Sequence, residues 1–202
     1  MEPLDPAVTE RRRRVAVDGH VGTGELSRAG LSDPAPIVRV TALGALERRG
    51  KLAVADLAAA LTDPEPSVRR RACELAAGRP EPDLSPALDD RDPSVVEMAA
   101  WALGERGSSA AIPVLAAMAS NGRGHPDPLC REAAVAALGA IGDPAGLPAV
   151  LQALDDKPAI RRRAAVALAA FDGPEVEAAL RRCLEDRDWQ VRQVAEDLLA
   201  VE

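Results

Sequence analysis

The sequence predicts an all-α solenoid, a superhelix of about six to seven stacked helix pairs, and three observations predict it. One phrase recurs along the chain, clearest at Leu61, Asp63, Pro66, Val68, Arg69 and Ala72. Its proline slot reads Pro6, Pro36, Pro66, Pro93, Pro128 and Pro158, with Trp189 in the same slot of a seventh copy, at spacings of 30, 30, 27, 35, 30 and 31 residues. The composition is 47% hydrophobic but 1% aromatic, so a core must be assembled from Ala, Leu and Val on closely packed helices.

Each slot has a physical reason. Proline suits the first position of a helix, where its missing N–H costs nothing, and Asp92, Asp127 and Asp188 precede it as capping residues. Two residues on, the slot is apolar (Val8, Val38, Val68, Val95, Cys130, Ile160, Val191). Four later comes Ala42, Ala72, Ala99, Ala134, Ala164 or Ala195, with Arg12 in the first copy, and then Leu46, Leu103, Leu138, Leu168 or Leu199. These positions share one stripe at the helical period. Between them lies a basic slot, Arg39, Arg69, Arg131, Arg161 and Arg192, with Thr9 and Val96 as exceptions. Acidic residues precede the prolines at Asp33, Asp63, Asp90, Asp156 and Asp186, and each is expected to pair with the Arg that follows it, as an Asp/Arg ladder.

The pattern L-x-D-x-x-P-x-V-R-x-x-A-x-x-x-L resembles HEAT repeats, in particular the short bacterial phycobilisome-lyase-like kind, over essentially the whole chain. The resemblance implies helix pairs whose first helices lie outward and whose second helices line a concave side. It implies no activity, because the shared residues are structural.

In chain order, residues 1–31 read as a degenerate N-terminal cap repeat. Arg11 to Arg14 span most of the helix circumference, which suits a solvated solenoid end, or alternatively an anion-binding patch. Gly19, His20, Gly22 and Gly24 are expected to turn the chain into a short second helix, Glu25 to Leu31. Two regular copies follow, with an Ala-rich second helix from Leu52 to Leu61. Pro80, Pro82 and Pro86 then leave room for only a very short second helix. The middle departs most from the rule: Val96 replaces a ladder Arg, His125 replaces the next ladder Asp, and Ser120 to Pro126 add a loop. Helices are predicted over Pro128–Ile141, Pro144–Leu154, Pro158–Phe171 and Pro174–Leu184. The last, Trp189–Val201, is expected as an unpaired capping helix over 189–201, with Glu196 in an otherwise apolar slot. Residues 1–202 thus read as one domain.

The expected function is a non-catalytic scaffold or adaptor for a protein or peptide partner on the concave surface. Arg28, Asp56, Gln152 and Arg181 on second helices would supply polar contacts, and Trp101, Arg123 and His125 a separate irregular patch. Trp101 lies off the core stripe, and aromatic anchors dominate interface energies. One alternative is nucleic-acid binding through the Arg clusters. A net charge of -7 with two Trp, one Phe and no Tyr argues against it. A second alternative, implied by the resemblance alone, is a bilin-lyase-like subunit. No catalytic, cofactor or metal site is expected. The only histidines, His20 and His125, have no Glu beside them, and Cys73, Cys130 and Cys183 read as buried reduced thiols. No stretch has the length of a membrane span or the apolar run of a signal peptide, so a cytoplasmic location is expected.

Overall fold

A computed structural model describes residues 5–200. They form twelve α-helices and four short 3-10 turns, and no strand. The chain divides into two compact units, 1–83 and 84–202, with the boundary inside the proline-rich stretch between Pro80 and Pro86.

The first unit holds α1 (Pro6–Val21), α2 (Glu25–Gly30), α3 (Pro36–Arg48), α4 (Val54–Ala60) and α5 (Pro66–Ala76). First helices α1, α3 and α5 pack in succession, and α2 and α4 lie against α3 and α5 respectively. The second unit opens with a 3-10 turn (Ser85–Asp89), where prolines remove the donors a longer helix would need. It continues with first helices α6 (Pro93–Glu105), α8 (Pro128–Ile141), α10 (Pro158–Ala167) and α12 (Trp189–Leu199), each packed on the next. Between them run the second helices α7 (Ile112–Ala119), α9 (Leu147–Ala153) and α11 (Pro174–Cys183). Val201, at the expected end of α12, lies outside the described residues.

Helix starts follow the caps. The carboxylates of Asp92, Asp127 and Asp188 accept from the amides of Ser94, Leu129 and Gln190 at 3.0, 2.9 and 3.0 Å. The small slot of the stripe is fully enclosed: Ala42, Ala72, Ala99, Ala134, Ala164 and Ala195 are all at 0% exposure. With so small a side chain at the centre, neighbouring helices approach until glycine becomes necessary. A Cβ on Gly19 would sit 2.6 Å from Ala45 Cβ, one on Gly104 2.9 Å from Ala137 Cα, and one on Gly139 2.7 Å from Ala167 Cβ. In α6→α8 and α8→α10 the glycine lies eight residues past the ladder slot and the facing alanine six past its own.

That spacing corrects the register of the first repeat. Gly19 lies eight residues after Arg11, so Arg11, and not Thr9, occupies the ladder slot. Arg12, expected in the alanine slot, is exposed, and Val15 takes part in the core beside Val38, Ala42 and Ala45, with Val8 at its edge. The expected turn at Gly19 and His20 is instead the continuation of α1 to Val21. The glycine there serves close packing on Ala45. In this register Asp18 stands where later copies have Leu46, Leu103 and Leu138. It is buried, and it caps α2 from outside by accepting from the Gly24 amide at 3.1 Å, the Ser27 amide at 2.8 Å and the Ser27 hydroxyl at 2.7 Å. The Ser27 hydroxyl, outweighing the opposing cost of burial, holds this carboxyl below the ordinary aspartate range.

Candidate interaction surface

The ladder arginines and aspartates do meet, but one repeat out of the expected register. Arg39 donates through Nε and Nη2 to the carboxylate of Asp63, at 2.8 and 2.7 Å, not to Asp33. Arg131 grips Asp156 at 2.9 and 3.0 Å, and Arg161 grips Asp186 at 3.0 Å through both nitrogens. Arg11 holds Asp33 in the same way at 2.8 and 3.2 Å. Four of the slot arginines place Nη1 on the backbone carbonyl of the acidic position of their own repeat: Arg39 on Asp33, Arg69 on Asp63, Arg161 on Asp156 and Arg192 on Asp186. The physical reason is a division of labour. The aspartate carboxylate accepts a local amide, Ala35 onto Asp33, Glu65 onto Asp63, Asp92 onto Asp90 and Asp188 onto Asp186, which aims its outer face away from the arginine that follows. Only an arginine from the preceding repeat reaches that face, as a two-toothed fork.

The ion pairs lower the carboxyl pKa values. For Asp33 and Asp186 the arginine hydrogen bond is the largest influence. Burial pushes Asp63 and Asp156 upward, but hydrogen bonds from Arg39 and Arg131 and from backbone amides outweigh it, so both stay below the usual carboxylate range.

In the second unit one rung is replaced at both ends. Val96 occupies the arginine slot at 0% exposure. His125 occupies the following acidic slot, where its Nδ1 accepts from the Asp127 amide at 3.1 Å and its carbonyl accepts from Arg131 at 2.9 Å. His125 therefore does the local work of a ladder aspartate.

The residues expected to serve a partner are distributed as follows. Arg28 and Asp56 pair with each other across α2 and α4, and Arg28 also reaches the Lys51 carbonyl. They line a cleft of about 380 Å³ with Leu31, Ser32 and Ala59. Gln152 accepts from the Ser120 hydroxyl at 3.2 Å, and Arg181 pairs with Glu177 one turn earlier in α11. A second cleft, of about 420 Å³, lies beside the Arg161–Asp186 pair and carries Asp155, Arg182, Glu185 and Arg187. Arg123 is exposed. Trp101 is 44% exposed on α6, and no hydrogen bond or ring contact joins it to Arg123 or His125 among the described residues.

Chemistry-bearing groups are otherwise quiet. Cys73, Cys130 and Cys183 are buried thiols outside any disulfide, and burial pushes Cys130 up to about 11. Among the described residues no three His, Cys, Asp or Glu side chains are grouped to hold a metal ion, and no helix is long and apolar enough to cross a membrane.

The HEAT-repeat family model matches residues 54–124 and 121–200. The chain belongs to the HEAT-repeat family. Solved structures agree with the helix-pair fold. YibA of E. coli aligns with 99% of this chain and 77% of its own at 18% identity and a TM-score of 0.64. The CpcE–CpcF complex of phycocyanin lyase from Nostoc sp. aligns with 88% of this chain and 76% of that chain at 28% identity and a TM-score of 0.61. Human deoxyhypusine hydroxylase aligns with 97% and 80% at 22% identity and a TM-score of 0.51. Among curated proteins none matches the chain. As a HEAT-repeat solenoid the chain is an all-α structure whose repeats are held by the rungs and glycine contacts described above.

Proposed function

We propose that this HEAT-repeat chain is a non-catalytic interaction scaffold that docks a protein partner on the outer face of α6, with Trp101 as the anchor. The observation that carries this reading is the exposed indole itself. Both tryptophans face solvent, but Trp189 only opens α12 at the position where other copies hold proline, whereas Trp101 lies inside α6 in a slot where other copies hold Gly44, Glu74, Ala136, Val166 and Asp197. The slot has no structural need for bulk, and an accessible tryptophan is the side chain best suited to anchor an interface. The second-helix polar residues fit a supporting role, since Arg28, Asp56 and Arg181 already have partners within the chain.

The test is a matched affinity capture with wild-type and Trp101→Ala protein from the native lysate, alongside thermal melts of both. Loss of a stoichiometric partner with an unchanged melt supports the scaffold reading. Equal capture by both proteins sinks it. The likeness to the phycocyanin lyase structure favours a second reading, a lyase-like subunit working beside another chain. Covalent attachment of a bilin to an acceptor protein on mixing, read as a coloured band on a denaturing gel, would put that reading first.

A further inference from the structure

We infer that the Trp101 face takes a positively charged segment, an arginine or lysine of another protein lying over the indole between two carboxylates. This rests on the scaffold reading just given and names the chemistry of its partner. Glu97 and Glu105 stand four residues before and four after Trp101 on α6, which places all three along one edge of the helix about 5–6 Å apart in succession. All three are exposed. Neither carboxylate makes an ion pair or hydrogen bond among the described residues. On the adjoining α8, by contrast, Glu132, one residue past the ladder slot as Glu97 is, is engaged by Arg163 at 3.4 Å. The equivalent positions of α8 and α10 carry Ala136 and Val166, so the indole sits at the head of an apolar lane that could receive the stem of a long basic side chain.

The wider charge points the same way. Residues 1–83 hold thirteen basic and thirteen acidic side chains, whereas 84–202 hold twelve and nineteen, so the whole net charge of -7 belongs to the stretch that contains Trp101. A cation is drawn to this unit by its field, held over the indole by the ring's quadrupole, and flanked by carboxylates whose hydration is not already spent on internal partners. An acidic or phosphorylated segment would meet repulsion at the same place.

The experiment is fluorescence anisotropy at physiological ionic strength with a short labelled peptide of alternating arginine and glycine, its glutamate–glycine counterpart serving as control. The arginine peptide is expected to bind and the glutamate peptide not to. Trp101→Leu, which keeps an apolar side chain but removes the π face, should weaken binding about three- to fivefold. The pair Glu97→Gln and Glu105→Gln should weaken it as well and flatten its salt dependence, and because both positions face solvent this variant serves even if the tryptophan replacement fails to fold. Glu175→Gln, an exposed carboxylate on α11, should leave binding unchanged. Wild-type affinity in the Trp101→Leu protein, or an equal loss from Glu175→Gln, would overturn the inference and leave only diffuse attraction. If the peptide is indifferent to Trp101 while Trp101→Ala still loses the captured partner, the partner's chemistry is wrong and the scaffold reading stands. If capture is also unchanged, both fall.

Discussion

Two neighbouring steps of the second unit solve one problem differently. Between α8 and α10, Arg131 is locked onto Asp156, with side-chain exposures of 9% and 2%. Between α6 and α8, the arginine is Val96 and the aspartate is His125, an apolar side chain and a local acceptor through Nδ1. Both steps keep the glycine-on-alanine contact, Gly104 on Ala137 and Gly139 on Ala167. Close helix approach is thus common to these two steps, and the ion pair is a removable unit whose two members leave together. The energetics explain why. A buried ion pair roughly balances its own desolvation, but one member left alone in the interior is an uncompensated charge.

Four measurements bear on these two steps and on the exposed face beside them. Arg131→Ala strands the Asp156 carboxylate and should cost about 3–5 kcal/mol, measured by urea unfolding; a loss under 1 kcal/mol would show the pair to be solvated. Gly139→Ala should cost about 1–3 kcal/mol by overpacking against Ala167, despite the better helix propensity of alanine. The control Gly44→Ala meets flexible guanidinium ends, Arg71 at 3.0 Å and Arg48 at 3.7 Å, and should be near neutral. Equal costs at both glycines would remove the close approach from the account.

The third prediction is one of pH. The rung aspartates are depressed, so they add stability that is present above their unfolded value, about 3.9, and that is lost as pH falls through the lower folded values. The thermal midpoint should hold steady from neutral pH to about 5 and fall below about 4, with a shallower fall in Asp156→Asn. Parallel curves for the two proteins would count against the rung as the acid-sensitive element. Last and smallest, Trp101→Ala should change unfolding stability by no more than about 0.5 kcal/mol, as an exposed side chain does. A larger loss would make Trp101 part of the packing and not a free anchor.

What the chain discloses on reading is its period and its stripe. Ala42, Ala134 and Ala164 are legible as core because their spacing obeys the helix, and Asp92, Asp127 and Asp188 as caps because proline follows them. The direction of the ladder is not legible, since Asp33 lies six residues from Arg39 and 22 from Arg11 and nearness in sequence favours the wrong partner. A usable signal was nonetheless there. Val96 and His125 depart from the rule in consecutive copies, as partners reaching forward must. The register of the first repeat was hidden by Pro6 and Val8, which imitate the motif two residues early, while Gly19 marked the true one. For the candidate site, the exposure of Trp101 follows from its angle on the helix. Where Arg123 and His125 lie relative to it does not, because loop geometry decides that.

The most direct test is a double-mutant cycle on the intact rung, with Arg131→Val, Asp156→His and the two combined, which copies the chemistry found at Val96 and His125 into the next step. The account predicts a double variant that loses markedly less stability than the two singles together, by about 1–3 kcal/mol of coupling. Strict additivity would mean that Arg131 and Asp156 do not act as one unit and that the paired departure one repeat earlier is coincidence.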